Sequence, residues 1–266
     1  MKPKFVLLTL LLCASISASA QDWAKAKLEK SPRHGEWVDV TNGTRVVHCF
    51  VVYPEVKNPA PAVIVIHEIF GLTDWARDLT DQVAEAGYIA IAPDLLSGLG
   101  PNGGKTSDFA SVDDVRAAIP KLPPDQVTGD LNAAADYVKK LPACDGKIAV
   151  AGFCWGGGQA FRFAENRPDL KAAFVFYGDG PKDLKDAEKV NCPVYGFYAG
   201  NDARISATNP KTSALMKEAG KKYDPVTYEG AGHGFMRAGE DPEGQSGNKK
   251  ARDKAWKRWK ELLKKI

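Results

Sequence analysis

One short stretch of the chain strongly constrains its fold, because an apolar strand turns there directly into a glycine-rich helix. Residues 147–153 read KIAVAGF, which is typical of a buried strand, and residues 156–167 read GGGQAFRFAENR, with helical periodicity. Gly152 and Gly156 flank Cys154 in the pattern G-x-C-x-G. Glycines at such a turn allow the helix to pack close to the preceding strand. The thiol then points out of the packing, which favours a chemical role for Cys154 over a buried structural thiol.

Strands and helices alternate along most of the chain. Short apolar runs predict buried strands at 60–68, 88–95, 170–178 and 192–200, with another strand at 223–230. Helical periodicity predicts helices at 73–88 (with Thr73 or Asp74 as N-cap), 124–141 and 210–220 and at the C-terminus. This order predicts an α/β fold with a mostly parallel central sheet and helices on both faces. Residues 36–54 alternate and turn at Asn42-Gly43, so they add an N-terminal antiparallel hairpin.

The first twenty residues follow a different pattern. A basic start precedes an apolar run at 5–13, and Ala18-Ser19-Ala20 fits a small-residue cleavage site. The apolar run is too short to cross a bilayer, so the pattern favours a cleaved signal peptide over a membrane anchor. We therefore expect a signal peptide at 1–20, export to the periplasm or the medium, and no stable membrane insertion after cleavage. We find no repeat or linker in 21–266 and predict one domain there.

The charge of the chain is small, with a formal value of +3, but basic residues concentrate at its end. Residues 248–266 hold nine Lys/Arg and two Asp/Glu, which raises nucleic-acid or membrane binding as an option. Trp256, Trp259 and Leu263 recur at helical spacing, however, so we predict a packed helix with a solvated basic face. We expect a monomer with a small-molecule partner and no nucleic acid.

Four cysteines follow the predicted signal peptide: Cys49, Cys144, Cys154 and Cys192. None has the spacing of a metal site, and no motif implies an organic cofactor, so we expect neither. An exported protein can oxidise its thiols, which leaves one bridge among Cys49, Cys144 and Cys192 as an option. Buried free thiols are the alternative.

Two residues after later strands complete a candidate catalytic set. Asp202 lies in YAGNDARIS and His233 in YEGAGHGFMR, each just past a predicted strand. The carboxyl ends of parallel strands meet at one edge of a sheet, so both side chains are expected near Cys154. A nucleophilic thiol needs a base and an orienting group, and the order nucleophile, acid, histidine is that of the α/β-hydrolases. The structural alternatives are a turn aspartate and a surface histidine.

Glu68 ends a predicted strand in the stretch IHEIFGL. A carboxylate there is costly to bury without a partner. Arg237 is a candidate counter-charge for Glu68 or for a substrate carboxylate, with an ordinary surface arginine as the alternative. In α/β-hydrolases the loop at this position supplies one N–H of the oxyanion hole, and the residue after the nucleophile supplies the other. That pattern assigns the backbone N–H groups of Ile69 and Trp155 to the oxyanion hole.

These motifs together resemble the dienelactone hydrolase family: GFCWGG around Cys154, AGNDARI around Asp202, GAGHGFMR around His233 and HEIFGL around Glu68. The resemblance extends from near Trp37 to the final helix. It implies an α/β-hydrolase fold and a Cys-His-Asp triad acting on a lactone or ester bond. Members of the family open dienelactone, an unsaturated lactone that carries a carboxylate, to maleylacetate.

The resemblance also implies a role for Glu68. In the family, the glutamate takes the thiol proton when substrate binds, and an arginine, here Arg237, holds it in the resting state. Two features depart from the better-known members, which are cytoplasmic and carry a substrate-binding arginine soon after the PDL strand. This chain has a predicted signal peptide and reads PDLLSGLGPNGG there, with Arg116 as its next arginine. The triad is unaffected, but the natural substrate stays open.

The sequence thus predicts an exported, thiol-dependent hydrolase of lactone or carboxylic-ester bonds. Two other classes of protein remain as alternatives on the same fold. One is a pocketed binding protein without turnover, because a fold does not dictate function. The other is a periplasmic protein whose Cys154 reacts with oxidants.

Overall fold

The computed structural model describes residues 21–266. Its strands are β1 (Gly35–Asn42), β2 (Arg45–Val52), β3 (Ala60–Ile66), β4 (Ile89–Pro93), β5 (Cys144–Phe153), β6 (Ala173–Phe176), β7 (Val194–Ala199) and β8 (Tyr223–Tyr228). They form one sheet in the spatial order β1-β2-β4-β3-β5-β6-β7-β8. The neighbouring pairs β4-β3, β3-β5, β5-β6, β6-β7 and β7-β8 are parallel. Strand β2 pairs antiparallel with both β1 and β4. The predicted fold class, including the antiparallel hairpin, is confirmed.

Helices connect the strands and cover the sheet. They are α1 (Asp22–Glu29), α2 (Asp74–Glu85), α3 (Val112–Ala118), α4 (Pro124–Lys139), α5 (Trp155–Asn166), α6 (Leu184–Lys189), α7 (Ala203–Ser206), α8 (Asn209–Glu218), α9 (Phe235–Ala238) and α10 (Ser246–Leu263). Thr73 is the N-cap of α2, where its side chain accepts a hydrogen bond from the N–H of Ala76. That cap satisfies one of the donors that a helix start leaves unpaired.

Two apolar layers enclose the sheet. On one face, α4, α5 and α8 contribute buried side chains such as Leu131, Phe161 and Met216. On the other face, α2 and α10 contribute Trp75 and Trp259. The strands between these layers are nearly continuous apolar runs, because a parallel sheet covered on both faces leaves no polar side. The basic C-terminal helix therefore packs through one apolar stripe, as its periodicity predicts.

The chain topology opens a crevice at the carboxyl end of the sheet. From β3 the chain passes through α2 to β4, toward the hairpin edge, whereas from β5 it passes through α5 to β6, toward the opposite edge. The helices α2 and α5 lie on opposite faces. The loops after β3 and β5 therefore diverge at a switch point, where open α/β sheets place their ligands.

Several predicted boundaries differ from the structure. Helix α4 ends at Lys139 rather than at position 141, and α8 ends at Glu218, before Gly220 adopts a φ of 67°. The short helix α3 was not predicted, although Ser111 caps it by accepting from the N–H of Asp114 at 3.2 Å. Short polar helices lack the long periodic stripe on which a sequence prediction depends. The predicted signal peptide lies outside the described residues.

Candidate active site

Cys154 lies at the sharp junction between β5 and α5. Its backbone has φ 56° and ψ −119°, a region that a residue with a side chain rarely occupies. The flanking glycines explain how the turn is accommodated. A Cβ on Gly152 would lie 1.9 Å from the carbonyl oxygen of Gly156, and a Cβ on Gly156 would lie 2.4 Å from that of His67. The local sequence therefore forces the thiol outward from a turn that only small neighbours permit.

His233 and Asp202 lie next to this thiol. Asp202 follows β7, and His233 follows β8. The Nε2 atom of His233 lies 3.0 Å from Sγ of Cys154, and its Nδ1 atom lies 2.5 Å from Oδ2 of Asp202. The other carboxylate oxygen of Asp202 accepts from the N–H of Ile205 at 3.3 Å, which anchors the carboxylate at the start of α7. The structure thus joins the three predicted side chains in one hydrogen-bonded chain.

The surroundings of His233 favour its protonated form. Burial alone would lower the pKa of the imidazole, but the hydrogen bonds to Cys154 and Asp202 and the negative charge of both partners outweigh it and raise the pKa to about 9. The N-terminus of α5 directly follows Cys154, and helix N-termini stabilise negative charge. This arrangement can hold an imidazolium beside a thiolate, which is the reactive form of cysteine.

Glu68 is almost fully buried beyond the end of β3, where two side chains hold it. Nε of Arg237 donates to Oε2 of Glu68 at 2.6 Å, and the hydroxyl of Tyr177 donates to Oε1 at 3.3 Å. Arg237 also lies over the ring of Phe70. Of the two partners that the sequence leaves open for Arg237, the structure places it on Glu68. No hydrogen bond within residues 21–266 joins Glu68 to Cys154.

Tyr177 is a site residue that the sequence analysis did not identify. It is fully buried, has a φ of 41°, and packs edge-on against the ring of His233 with 5.1 Å between ring centroids. Burial raises its pKa well above the usual value, so the phenol stays protonated and donates to Glu68. The available signal was a tyrosine followed by Gly178 at the end of a predicted strand, where the sheet builds its sites.

The two N–H groups assigned to the oxyanion hole are both unpaired. Within the described residues no hydrogen bond uses the backbone N–H of Ile69 or of Trp155. Both residues are partly exposed at the crevice, Ile69 just after Glu68 and Trp155 just after Cys154. A cavity of about 420 Å³ borders Trp155 and extends between α5 and the segment 179–182. The unpaired N–H groups of Ile69 and Trp155 can donate hydrogen bonds to the carbonyl oxygen of a small molecule that the thiol attacks.

Other sequence expectations concern residues away from this site. Cys49, Cys144 and Cys192 are free thiols in the structure, so none of them forms the disulfide left open above. Over residues 21–266, no group of three or more His, Cys, Asp or Glu side chains is arranged to hold a metal ion. No helix in the same part of the chain has the length and hydrophobicity of a membrane span.

Comparison with known proteins places the chain in a family. Residues 47–266 match the model of the dienelactone hydrolase family. A protein of Escherichia coli K12, provisionally named as a carboxymethylenebutenolidase, is 34% identical over 188 residues, which cover 66% of this chain and 68% of that protein. A Saccharolobus solfataricus protein with the same provisional name is 30% identical over 255 residues, covering 83% of this chain and 94% of its own.

A solved structure agrees with the sequence relatives. The crystal structure of a provisionally assigned dienelactone hydrolase from Klebsiella pneumoniae superposes with a TM-score of 0.77 and 26% identity. The match covers 88% of this chain and 99% of that one. Together with the family match and the two sequence relatives, it identifies this chain as a hydrolase that belongs to the dienelactone hydrolase family.

Proposed function

We propose that this protein is an exported hydrolase that cleaves carboxylic-ester or lactone bonds through a Cys154-His233-Asp202 triad. The observation that carries the proposal is the hydrogen-bonded chain from Sγ of Cys154 through the imidazole to the carboxylate. A thiol on a strained turn, a base within hydrogen-bond reach and a group that orients the base are what nucleophilic catalysis requires.

The first half of the reaction forms a thioester. The thiolate of Cys154 attacks the carbonyl carbon of the substrate, and the carbonyl oxygen becomes an oxyanion that accepts hydrogen bonds from Ile69 and Trp155. When the C–O bond breaks, Nε2 of His233 gives its proton to the departing alkoxide. Asp202 stabilises the imidazolium until that transfer. For a lactone, the alcohol remains attached to the acyl group.

The second half of the reaction releases the acid. His233, now neutral, takes a proton from a water molecule, and the resulting hydroxide attacks the thioester carbonyl. The same two N–H groups receive the second oxyanion. The C–S bond then breaks, the carboxylic acid leaves, and Cys154 is left as a thiolate beside the protonated His233. No further oxidant, reductant or cofactor is needed for this cycle to balance.

Glu68 has the role that the family resemblance implies. It takes the thiol proton when substrate binds and returns that proton to the thiolate of Cys154 after the acid has left. Between turnovers it stays paired with Arg237. The contacts at 2.6 Å with Arg237 and at 3.3 Å with Tyr177 are consistent with that resting pairing. A thiol kept protonated between turnovers is protected from oxidation, since oxidation follows thiolate character.

The test is hydrolysis of p-nitrophenyl acetate by wild type, Cys154→Ala and Cys144→Ala. We expect Cys154→Ala to lose more than about 10³-fold in kcat/KM, because removing a triad nucleophile leaves only binding and the oxyanion hole. Cys144→Ala, which removes another partly exposed thiol, should retain wild-type activity. Intact-mass analysis of wild type should show one acetyl adduct that is absent from Cys154→Ala.

Two results would contradict the proposed chemistry. Undiminished hydrolysis by Cys154→Ala would remove Cys154 from the reaction. A folded, reduced wild type with neither p-nitrophenol release nor an acetyl adduct would favour the binding or the redox alternative. The redox alternative further predicts that peroxide oxidises Cys154 at the same rate in wild type and in Asp202→Asn.

Export is a separate part of the proposal, supported by the pattern of residues 1–20. Expression of the full chain in a Gram-negative host, followed by fractionation and N-terminal sequencing, tests it. We expect a processed chain that begins at Gln21 in the periplasmic fraction or the medium. An unprocessed chain confined to the cytoplasm would contradict export without affecting the hydrolase chemistry.

A further inference from the structure

His67 is a fully buried histidine at the end of β3 that the reaction described above does not use. Its Nδ1 atom lies 2.8 Å from the carbonyl oxygen of Glu68. Its Nε2 atom lies 3.4 Å from the backbone nitrogen of Leu95, in the loop after β4. The ring therefore connects two loops at the carboxyl end of the sheet, one of which carries a proposed oxyanion donor.

The two partners determine the tautomer of the ring. A carbonyl oxygen only accepts a hydrogen bond, so Nδ1 must carry the proton. A backbone N–H only donates, so Nε2 must be unprotonated. Burial lowers the pKa of His67 and outweighs the opposing effects of Asp94 and of nearby carbonyl groups. The ring is thus neutral, with a proton on Nδ1 alone.

The hydrogen bond from His67 acts on the peptide unit of the oxyanion loop. The carbonyl of Glu68 and the N–H of Ile69 belong to the same peptide, which is trans, so they point in opposite directions. The carbonyl oxygen also accepts from the N–H of Gly71 at 3.2 Å. The ring of His67 and the N–H of Gly71 fix the direction of the Glu68 carbonyl. The N–H of Ile69 is consequently directed away from these two donors.

The second proposed oxyanion donor also lies against His67. The ring stacks on the side chain of Trp155 with 5.7 Å between ring centroids and an interplanar angle of 18°. The backbone of His67 abuts the first turn of α5, since a Cβ on Gly156 would approach its carbonyl oxygen to 2.4 Å. One residue therefore contacts both segments that supply the unpaired N–H groups.

From these contacts we propose that His67 is a positioning residue for the oxyanion hole, acting mainly through its Nδ1 donor to the Glu68–Ile69 peptide, with the stacking of its ring on Trp155 as a lesser contribution. The inference rests on the proposed function, because an oxyanion forms only if a carbonyl is attacked. His67 acts on substrate through Ile69 and Trp155 and does not contact the reacting atoms. Its effect is therefore expected on the attack step and not on the reactivity of the thiol itself.

Two variants separate the donor from the rest of the ring. His67→Phe keeps an aromatic ring against Trp155 but removes both polar contacts. His67→Asn keeps an N–H donor in nearly the position of Nδ1 and loses the stacking and the acceptor. Each is compared with wild type in the rate of acetylation by p-nitrophenyl acetate and in the rate of alkylation by iodoacetamide. In the alkylation the thiolate attacks a saturated carbon and displaces iodide, so no oxyanion forms.

We expect His67→Phe to lower the acetylation rate by about 10–10²-fold. This is less than the cost of about 10²–10³-fold for losing an oxyanion donor outright, because the donor is displaced rather than removed. Alkylation of Cys154 should change less than about threefold, because it depends on the thiolate and on His233. His67→Asn should recover most of the acetylation rate. KM should change little, because the hydrogen bonds strengthen mainly in the transition state.

The outcomes distinguish this inference from the proposed function. Equal losses of acetylation and alkylation in His67→Phe would reduce His67 to a structural residue. Wild-type acetylation in His67→Phe, or no recovery in His67→Asn, would also overturn the inference while the hydrolase chemistry stands. If folded, reduced wild type neither releases p-nitrophenol nor forms an acetyl adduct, the proposed function fails, and the role of His67 fails with it.

A measurement on the wild-type protein covers the case in which His67→Phe does not fold. Nitrogen NMR of the protein with labelled histidine reports which ring nitrogen carries the proton. We expect a proton on Nδ1 and none on Nε2, unchanged through neutral and mildly acidic pH. A ring protonated on Nε2, or one that titrates near its ordinary pKa, could not hold the Glu68 carbonyl as described and would overturn the inference.

Discussion

The electrostatics of the candidate site depend on one imidazole. His233 has a thiol on one nitrogen and a carboxylate on the other, at 3.0 Å and 2.5 Å. The two partners raise its pKa to about 9 in spite of burial. A protonated His233 at neutral pH holds the proton that the leaving alkoxide needs, so its protonation state links the local structure to the proposed reaction.

A titration of His233 followed by NMR should have its midpoint near pH 9. Cys154→Ala should lower that midpoint toward 6.5, because the imidazolium loses the hydrogen bond to Cys154 and the negative charge of the thiolate. Since the folded pKa exceeds the unfolded value, the pairing stabilises the fold fully below pH 6.5 and the stabilisation disappears as pH rises through about 9.

The matching stability measurement compares wild type with His233→Gln by urea denaturation over that pH range. The difference in free energy of unfolding should be largest at or below pH 6.5 and should shrink toward pH 9. A difference that does not vary with pH would mean that the proton on His233 is not shared with Cys154 and Asp202 in the folded state.

Two glycines in the first turns of α5 have different steric surroundings. A Cβ on Gly156 would lie 2.4 Å and 2.5 Å from the carbonyl oxygens of His67 and Ile66. At Gly158, in the same helix, the nearest atom to an added Cβ would lie at 3.8 Å, which is ordinary contact. One glycine therefore permits close packing of the helix against the strand, and the other is only a poor helix former.

Alanine at these two positions makes a matched pair. Gly156→Ala should reduce the free energy of unfolding by about 1–3 kcal/mol and lower activity, because overpacking forces the β3 end and α5 apart. Gly158→Ala should raise the free energy of unfolding by about 0.5–1 kcal/mol, because alanine is the better helix former. Thermal denaturation and ester hydrolysis measure both effects. Destabilisation of the same size in both variants would contradict this steric account.

A polar cluster around the buried carboxylate of Glu240 joins the helices α1, α2 and α10. Glu240, just past α9, accepts hydrogen bonds from Lys27 of α1, Trp75 of α2 and Arg252 of α10 at 3.0–3.1 Å. This cluster ties the segment that carries His233 and Arg237 to three helices. Asp78 lies nearby, and burial together with the charge of Glu240 raises its pKa to about 7.

This cluster predicts a pH dependence of stability. The pKa of Asp78 is higher in the folded chain than its ordinary value of 3.8, so the folded state binds this proton more tightly than the unfolded state does. Ionisation of Asp78 therefore lowers the free energy of unfolding progressively as pH rises from 3.8 to about 7. Asp78→Asn should therefore raise the melting temperature at neutral and alkaline pH and have a smaller effect in acid. Asp113→Asn, at an exposed carboxylate, is the control. An Asp78→Asn effect that is constant with pH would contradict the prediction.

Periodicity and local motifs account for most of what could be predicted. The runs at 60–68 and 192–200 are long enough and apolar enough to identify β3 and β7, and G-x-C-x-G between a strand and a helix predicts the position of Cys154. Short polar helices such as α3 and α6 were not predicted, because they lack a long periodic stripe. Tyr177 and the cluster around Glu240 were not predicted for another reason, which is that their partners lie elsewhere in the chain.

The sequence by itself determined the order of the elements, the strained turn at Cys154 and the residue types that follow the other strands, since these depend on neighbours within a few positions. Only the tertiary structure decided which side chains meet. It placed Arg237 on Glu68, brought Tyr177 to the same carboxylate and gave His67 its two backbone partners. These are contacts across the crevice, and they depend on how the sheet orders its strands rather than on any local pattern.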